Sequence, residues 1–134
     1  MQRNFKKELE SLSSIFAFID ERLSGIRLSP ADHYAVHFVV EELFTNMVKY
    51  GTASSLDVTV DMEIRESTLI LRLMDHDVER FDPNFAPVVD PQTPLTDRRI
   101  GGLGIHLVKQ MVNDLQYDYT ARCSTITIIK NLEQ

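Results

Sequence analysis

Along this chain the spacing of apolar residues switches between helical and strand periods, and each switch marks an element. Residues 2–8 are polar around Phe5 and predict a short edge strand. Ser11 then precedes Leu12, Ile15, Phe16, Ile19 and Leu23, the pattern of an amphipathic helix ending near Gly25. A second helix opens at Ser29-Pro30-Ala31-Asp32, an N-cap serine before an N1 proline with an acid at N3. It runs to Tyr50 with Val36, Val39, Leu43 and Met47 on its buried side, and Gly51 stands at its C-terminus. From Leu56 to Glu66 the period becomes two: Leu56, Val58, Val60, Met62 and Ile64 alternate with polar residues, as in a half-exposed antiparallel strand. Glu66-Ser67 turns the chain into a second strand, Thr68 to Met74, with Leu69, Leu71 and Leu73 on one side.

Residues 75–99 break every periodicity and hold four of the chain's five prolines, as a binding loop or lid does. A helix from about Gly102 to Asn113 follows, with Leu103, Leu107, Val108 and Met111 at helical spacing. The β-rich runs Gln116 to Arg122 and Ser124 to Asn131 close the chain as a hairpin. This order predicts an α/β two-layer sandwich, with helices on one face of a mixed, mostly antiparallel sheet.

Composition narrows the function classes. A chain of 134 residues, 43% hydrophobic and 25% charged, suits one soluble domain spanning 1–134. A net charge of −6 without any basic block argues against nucleic-acid binding. The single cysteine, Cys123, excludes an intrachain disulfide and fits a reducing cytoplasm. No apolar run approaches the roughly 18 residues of a membrane span, and residues 1–20 are charged throughout, unlike a signal peptide.

Three polar groupings carry candidate chemistry. Gly101, Gly102 and Gly104 lead into a helix, so backbone N–H groups and the positive end of the helix dipole face whatever lies ahead, as in a phosphate site. Alone, the cluster also fits a simple turn. Glu42 and Asn46, four apart, share a helix face with Lys49 close by: a carboxylate base and a hard amide oxygen suited to Mg²⁺, or a solvated surface. Asp75-His76-Asp77 after the second strand offers a carboxylate to an exocyclic amine such as that of adenine, or is a charged turn. His76 is read as solvent-exposed and without the partners that a metal site needs.

Taken in order, Glu42-Leu43-Phe44-Thr45-Asn46, Asp75 with Phe81-Asp82-Pro83, and Gly101-Gly102-Leu103-Gly104-Ile105-His106-Leu107-Val108 resemble the N-box and the two glycine boxes of histidine-kinase-like (GHKL) ATPases. Within that superfamily the chain is most similar to the stand-alone anti-sigma-factor serine kinases, a likeness that Asn113-Asp114 and Tyr117 extend over about residues 1–132. The resemblance implies the histidine-kinase-like ATPase (Bergerat) fold, with ATP and Mg²⁺ as cofactors. Glu42 would be the general base for a substrate serine, Asn46 a Mg²⁺ ligand and Asp75 the reader of adenine. Lys49, Gly101, Gly102, Leu103, Gly104 and Ile105 would belong to the ATP site, residues 83–99 would close as a lid, and Arg98 or Arg99 would face the transferring phosphoryl group.

One departure stands out. The family's Asp-x-Gly reads Asp75-His76-Asp77 here, with about one extra residue before Phe81. Asp77 is therefore a second candidate adenine reader, although Asp75 follows the strand directly, and an added carboxylate near the nucleotide would weaken binding. The implied function is a cytoplasmic serine/threonine kinase and anti-sigma factor. It would phosphorylate an anti-anti-sigma (STAS-domain) protein and sequester a sigma factor; the resemblance also admits a homodimer. The length leaves no room for a dimerising phosphoacceptor helix pair or a transducer domain. The alternative is a partner-binding module of the same fold with little nucleotide affinity.

Overall fold

The alternation from Val58 onward builds the centre of a sheet. In the computed structural model, which describes residues 1–51, 54–79 and 100–132 (100–103 through their backbone alone), five strands lie in the order β1-β2-β3-β5-β4. They are β1 (Gln2–Phe5), β2 (Val58–Arg65), β3 (Thr68–His76), β4 (Asp114–Thr120) and β5 (Cys123–Asn131). Three helices, α1 (Leu12–Leu23), α2 (Pro30–Tyr50) and α3 (Ile100–Met111), complete the order, with a 3₁₀ turn at Leu9–Ser11 before α1. All four strand pairings are antiparallel, so the mixed sheet expected from sequence is corrected: the described residues contain no parallel pair.

Period two decides which side each strand buries. Val58, Val60 and Met62 of β2, Leu69, Leu71 and Leu73 of β3, and Ile126 and Ile128 of β5 face the helices and are buried. Against them pack Ile15, Phe18 and Ile19 of α1, Val36, Val39, Val40, Leu43 and Phe44 of α2, and Ile105 and Val108 of α3. Leu56, read as the first inward residue of β2, lies before the strand and is exposed.

The start of α2 forms as its residues dictate. Ser29 has extended backbone and its Oγ accepts a hydrogen bond from the Asp32 N–H at 3.1 Å, with Pro30 at the first helical position. Two turns are tighter than their residue types advertise. Glu66 takes φ 56° between β2 and β3, and Ala121 and Arg122 take φ 53° and 61° between β4 and β5. Two consecutive positive φ values match the twist of a two-residue hairpin, here without glycine.

Two boundaries move. β3 continues two residues beyond Met74, so Asp75 stands inside the strand, on the same inward face as Leu69, Leu71 and Leu73. The third helix begins at Ile100, so all three glycines of the motif lie within α3 rather than ahead of it. Among the described residues, no helix is long and apolar enough to cross a membrane.

Candidate functional site

A cleft opens where the C-terminal half of α2 and α3 stand over the ends of β3 and β5. Its walls are mostly apolar: Leu43 and Met47 from α2, Ile105 from α3, Ile126 from β5 and Val78 after β3. Into this apolar setting project Asn46, Asp75 and Ser124, each buried. Tyr50, Gly51 and Glu79 complete the lining. An apolar cleft with a few convergent polar groups is the usual form of a small-molecule site.

Asp75 reaches the cleft because strand alternation carries it there. Its carboxylate is met by Lys7, which follows β1: Nζ lies 2.8 Å from Oδ1, with the two side chains 4% and 5% exposed. The same ammonium donates to the Gly51 carbonyl at the end of α2. Gly51 is required for closeness, not for turning: its φ is −85°, while a Cβ there would collide with Asp75 Oδ2, Lys7 Nζ and the Met47 carbonyl. Burial raises the Asp75 pKa above its ordinary value, against the opposing effects of Lys7 and His76. Lys7, Gly51 and Ser124 are residues that sequence reasoning missed.

Asn46 sits 7% exposed on the cleft side of α2, and its Nδ2 has no hydrogen-bond partner among the described residues. A buried amide N–H without a partner is costly unless a ligand engages it. Glu42, one turn earlier, is half-buried with its carboxylate against Gly104 of α3. A Cβ at position 104 would overlap that carboxylate and lie 2.8 Å from Glu42 Cγ. Gly104 has no positive φ, so its lack of a side chain serves the approach of α2 to α3. Burial raises the Glu42 pKa above the ordinary carboxylate value; Lys49 pulls it down and Glu41 adds to the rise. Lys49 itself is exposed and lines no part of the cleft.

Asp77 points elsewhere. It holds the left-handed conformation, φ 57°, that glycine usually supplies, and its Oδ1 accepts from Arg122 Nε at 2.8 Å on the exposed β4–β5 turn. Asp is among the residues that tolerate this conformation. The turn is tied down further, Val78 N–H donating to the Arg122 carbonyl at 2.9 Å and Tyr119 Oη to the Val78 carbonyl at 2.7 Å. Asp77 does not line the cleft, and Asp75 does.

His76 departs from its expected exposure. It is half-buried on the sheet face away from the helices, its Nε2 2.9 Å from Thr59 Oγ1 and its Nδ1 3.6 Å from Cys123 Sγ. Of the glycine box, Gly101, Gly102 and Leu103 lie in the first turn of α3 and Ile105 is buried in the cleft wall. Arg98, Arg99 and the expected lid over 83–99 lie outside the described residues.

Solved structures share this architecture. One containing the RsbU and RsbW domains of Rv1364c from Mycobacterium tuberculosis has a TM-score of 0.72 at 13% identity, over 100% of this chain and 32% of that one. This chain therefore spans about a third of that relative. A chain of the SiaB-SiaC complex from Pseudomonas aeruginosa has a TM-score of 0.68 at 14% identity, over 96% of this chain and 88% of that one. The Acinetobacter baumannii histidine kinase AdeS follows at 0.57 and 17%, over 100% of this chain and 68% of that one. These likenesses establish the fold; no curated protein matches the chain by sequence. The family model described as histidine kinase-like ATPase domain matches residues 5–130, nearly the whole chain, and the protein belongs to that family.

Proposed function

We propose that this protein is an ATP- and Mg²⁺-dependent serine/threonine protein kinase and anti-sigma factor, which phosphorylates an anti-anti-sigma (STAS-domain) protein and holds a sigma factor. The observation that carries the reading is the convergence of two sequence-distant groups, Asn46 of α2 and Asp75 of β3, on one cleft, with Glu42 one helical turn from Asn46 and outside the cleft lining. Asp75 lies in its floor, Asn46 holds a spare buried amide, and the Glu42 carboxylate lies against a glycine of the third motif. The fold's likeness to a structure containing an RsbW domain, and to a chain in the two-protein SiaB-SiaC complex, supports a partner-directed role.

The residues present fit Mg·ATP. The Asp75 carboxylate keeps acceptor capacity beyond its bond to Lys7 and faces an apolar slot wide of solvent, as an adenine amine requires. Rotating the Asn46 amide presents either a donor or a hard oxygen to the same point, so this residue would hold Mg²⁺. Gly101 and Gly102 leave the first turn of α3 without side chains, where its free backbone N–H groups would receive phosphate oxygens, while Gly104, one turn on, lies against Glu42. Mg·ATP supplies, when bound, the phosphoryl group for transfer. Glu42 would take the proton from the substrate serine Oγ, and its raised pKa brings its basicity nearer to working pH.

Calorimetric titration of the folded protein with ATP, with and without Mg²⁺, followed by mass spectrometry of a candidate STAS protein for phosphoserine, tests the reading. Mg²⁺-dependent binding and a phosphoserine product are expected. Folded protein that takes up no ATP would leave a partner-binding module in its place.

Gly104→Ala gives a separate check. Alanine is favoured over glycine in a helix by about 1 kcal/mol, but its Cβ would push the Glu42 side chain aside. The expected result is a melting temperature near that of the parent, with phosphotransfer reduced by about 10²-fold through misplacement of the base. Unchanged transfer rates would show that the contact with Gly104 does not position Glu42.

A further inference from the structure

At the end of α2 away from the cleft, Asp20, His33 and His37 form a cluster that the kinase reading leaves without a task. His33 and His37 are four apart on α2, so one helix face carries both imidazoles. Asp20 comes from α1. Its Oδ1 lies 2.7 Å from His37 Nε2 and 3.4 Å from His33 Nε2, and the three candidate donor atoms all fall within 4.8 Å of one another. We propose that Asp20, His33 and His37 form a binding site for a divalent transition-metal ion of the Zn²⁺ class, tying α1 to the first half of α2.

Three features support a site over a chance grouping. The first is spacing. With Zn–N and Zn–O bonds of about 2.0–2.2 Å, the donors of a tetrahedral site stand roughly 3.3–3.5 Å apart. The Asp20–His33 separation is already 3.4 Å, and the Asp20–His37 hydrogen bond at 2.7 Å need open by only a fraction of an ångström. The second is orientation: both histidines present the same nitrogen, Nε2, to the same carboxylate oxygen. The third is support. The His37 ring is stacked on Phe16 at 4.5 Å and 8°, and the two imidazoles lie 4.3 Å apart, so the ring planes are set before an ion arrives.

Donor chemistry selects the ion. Two imidazoles with one carboxylate suit Zn²⁺, Ni²⁺ or Cu²⁺, whereas Mg²⁺ prefers oxygen ligands. Three protein ligands at a partly exposed position leave a fourth place for water or for a donor from another molecule. The site is distinct from the nucleotide cleft: His37 precedes Asn46 by nine residues, about 13 Å along the helix.

The test is Zn²⁺ calorimetry on untagged full-length protein, with Co²⁺ absorption as an independent report of coordination. One equivalent of Zn²⁺ should bind and raise the melting temperature, and millimolar Mg²⁺ should not compete. Asp20→Asn, His33→Gln and His37→Gln should each weaken Zn²⁺ at least about tenfold, while Cys123→Ser, which removes the thiol beside His76, should leave affinity unchanged. Should a histidine variant melt early, ring-proton NMR of the parent protein decides instead. Resonances of His33 and His37 should move with the first equivalent while those of His76 and His106 stay in place. Zn²⁺ affinity unaffected by all three substitutions, absence of binding by the parent protein, or movement of His76 first would overturn the assignment.

Discussion

Glu42→Gln is expected to keep the fold and the nucleotide while phosphotransfer falls by about 10²–10⁴-fold, the usual contribution of a positioned base. The substitution preserves shape and removes only the proton-accepting charge. Its effect on stability follows from the cause of the pKa shift. Burial is the largest influence on Glu42 and raises its folded pKa above 4.5. A carboxyl with a raised folded pKa adds stability below its unfolded value and loses that contribution as pH rises through the folded one. Above that folded pKa the ionised side chain is a burden, and there the glutamine variant should melt at or above the parent temperature. The rate has the opposite sign: transfer by the parent should grow as pH rises through a value above 4.5 and Glu42 ionises, a limb absent from the variant's residual activity. A variant that transfers phosphate at the parental rate would remove Glu42 from the chemistry. One that no longer binds Mg·ATP would make it a metal ligand.

Much of this architecture was legible because period is a property of neighbours along the chain. Leu69, Leu71 and Leu73 announce the inward face of β3, and the same alternation carried two residues further places Asp75 on it. The Ser29-Pro30 start of α2 was legible for a similar reason, since capping is a contact between residues three apart. What escaped depends on residues brought together only by the fold. Lys7 lies within the polar stretch 2–8 read as an edge strand, and nothing nearby in sequence hints that it meets Asp75, 68 positions away, in the interior. Gly51 and Gly104 read as a helix stop and a phosphate turn; both are required because a side chain would strike a carboxylate from another element. His33 and His37 stand four apart but drew no notice in the sequence, because Asp20 joins them only through packing of α1 on α2.

Asp77 is an aspartate in a backbone conformation that favours glycine. A left-handed φ of 57° is the conformation for which glycine is the default, and an aspartate adopts it with its carboxylate turned outward onto Arg122. The pair is exposed, so solvent screens it and it contributes little to stability. The extra charge thus stands on the sheet-turn side of the motif, and Asp75 alone of the two acids faces the apolar cleft.

The largest loss of stability is expected from Lys7→Met. The side chain fits the same channel without an ammonium, so the Asp75 carboxylate and the Gly51 carbonyl lose their donor inside a nearly closed site. Removing one partner of a buried ion pair typically costs about 3–5 kcal/mol, because the remaining charge stays desolvated. Against a whole-domain stability of about 5–15 kcal/mol, that is enough to lower the urea midpoint severely. The pH dependence identifies the cause. Burial already raises the Asp75 pKa, with Lys7 opposing the rise, so removing Lys7 raises it further. By the same linkage, stability attached to a raised carboxyl pKa is present at low pH and lost as pH rises through the folded value. The deficit of Lys7→Met relative to the parent should therefore shrink as the buffer is made mildly acidic. Adding Asp75→Asn should restore most of the loss near neutral pH, since a neutral pair carries no uncompensated charge. Urea unfolding of the parent, both single variants and the double variant, at neutral and mildly acidic pH, measures the coupling directly. A Lys7→Met protein as stable as its parent at both pH values would mean that Asp75 is reached by solvent, and that the ion pair under the cleft does not hold β1, β3 and the end of α2 together.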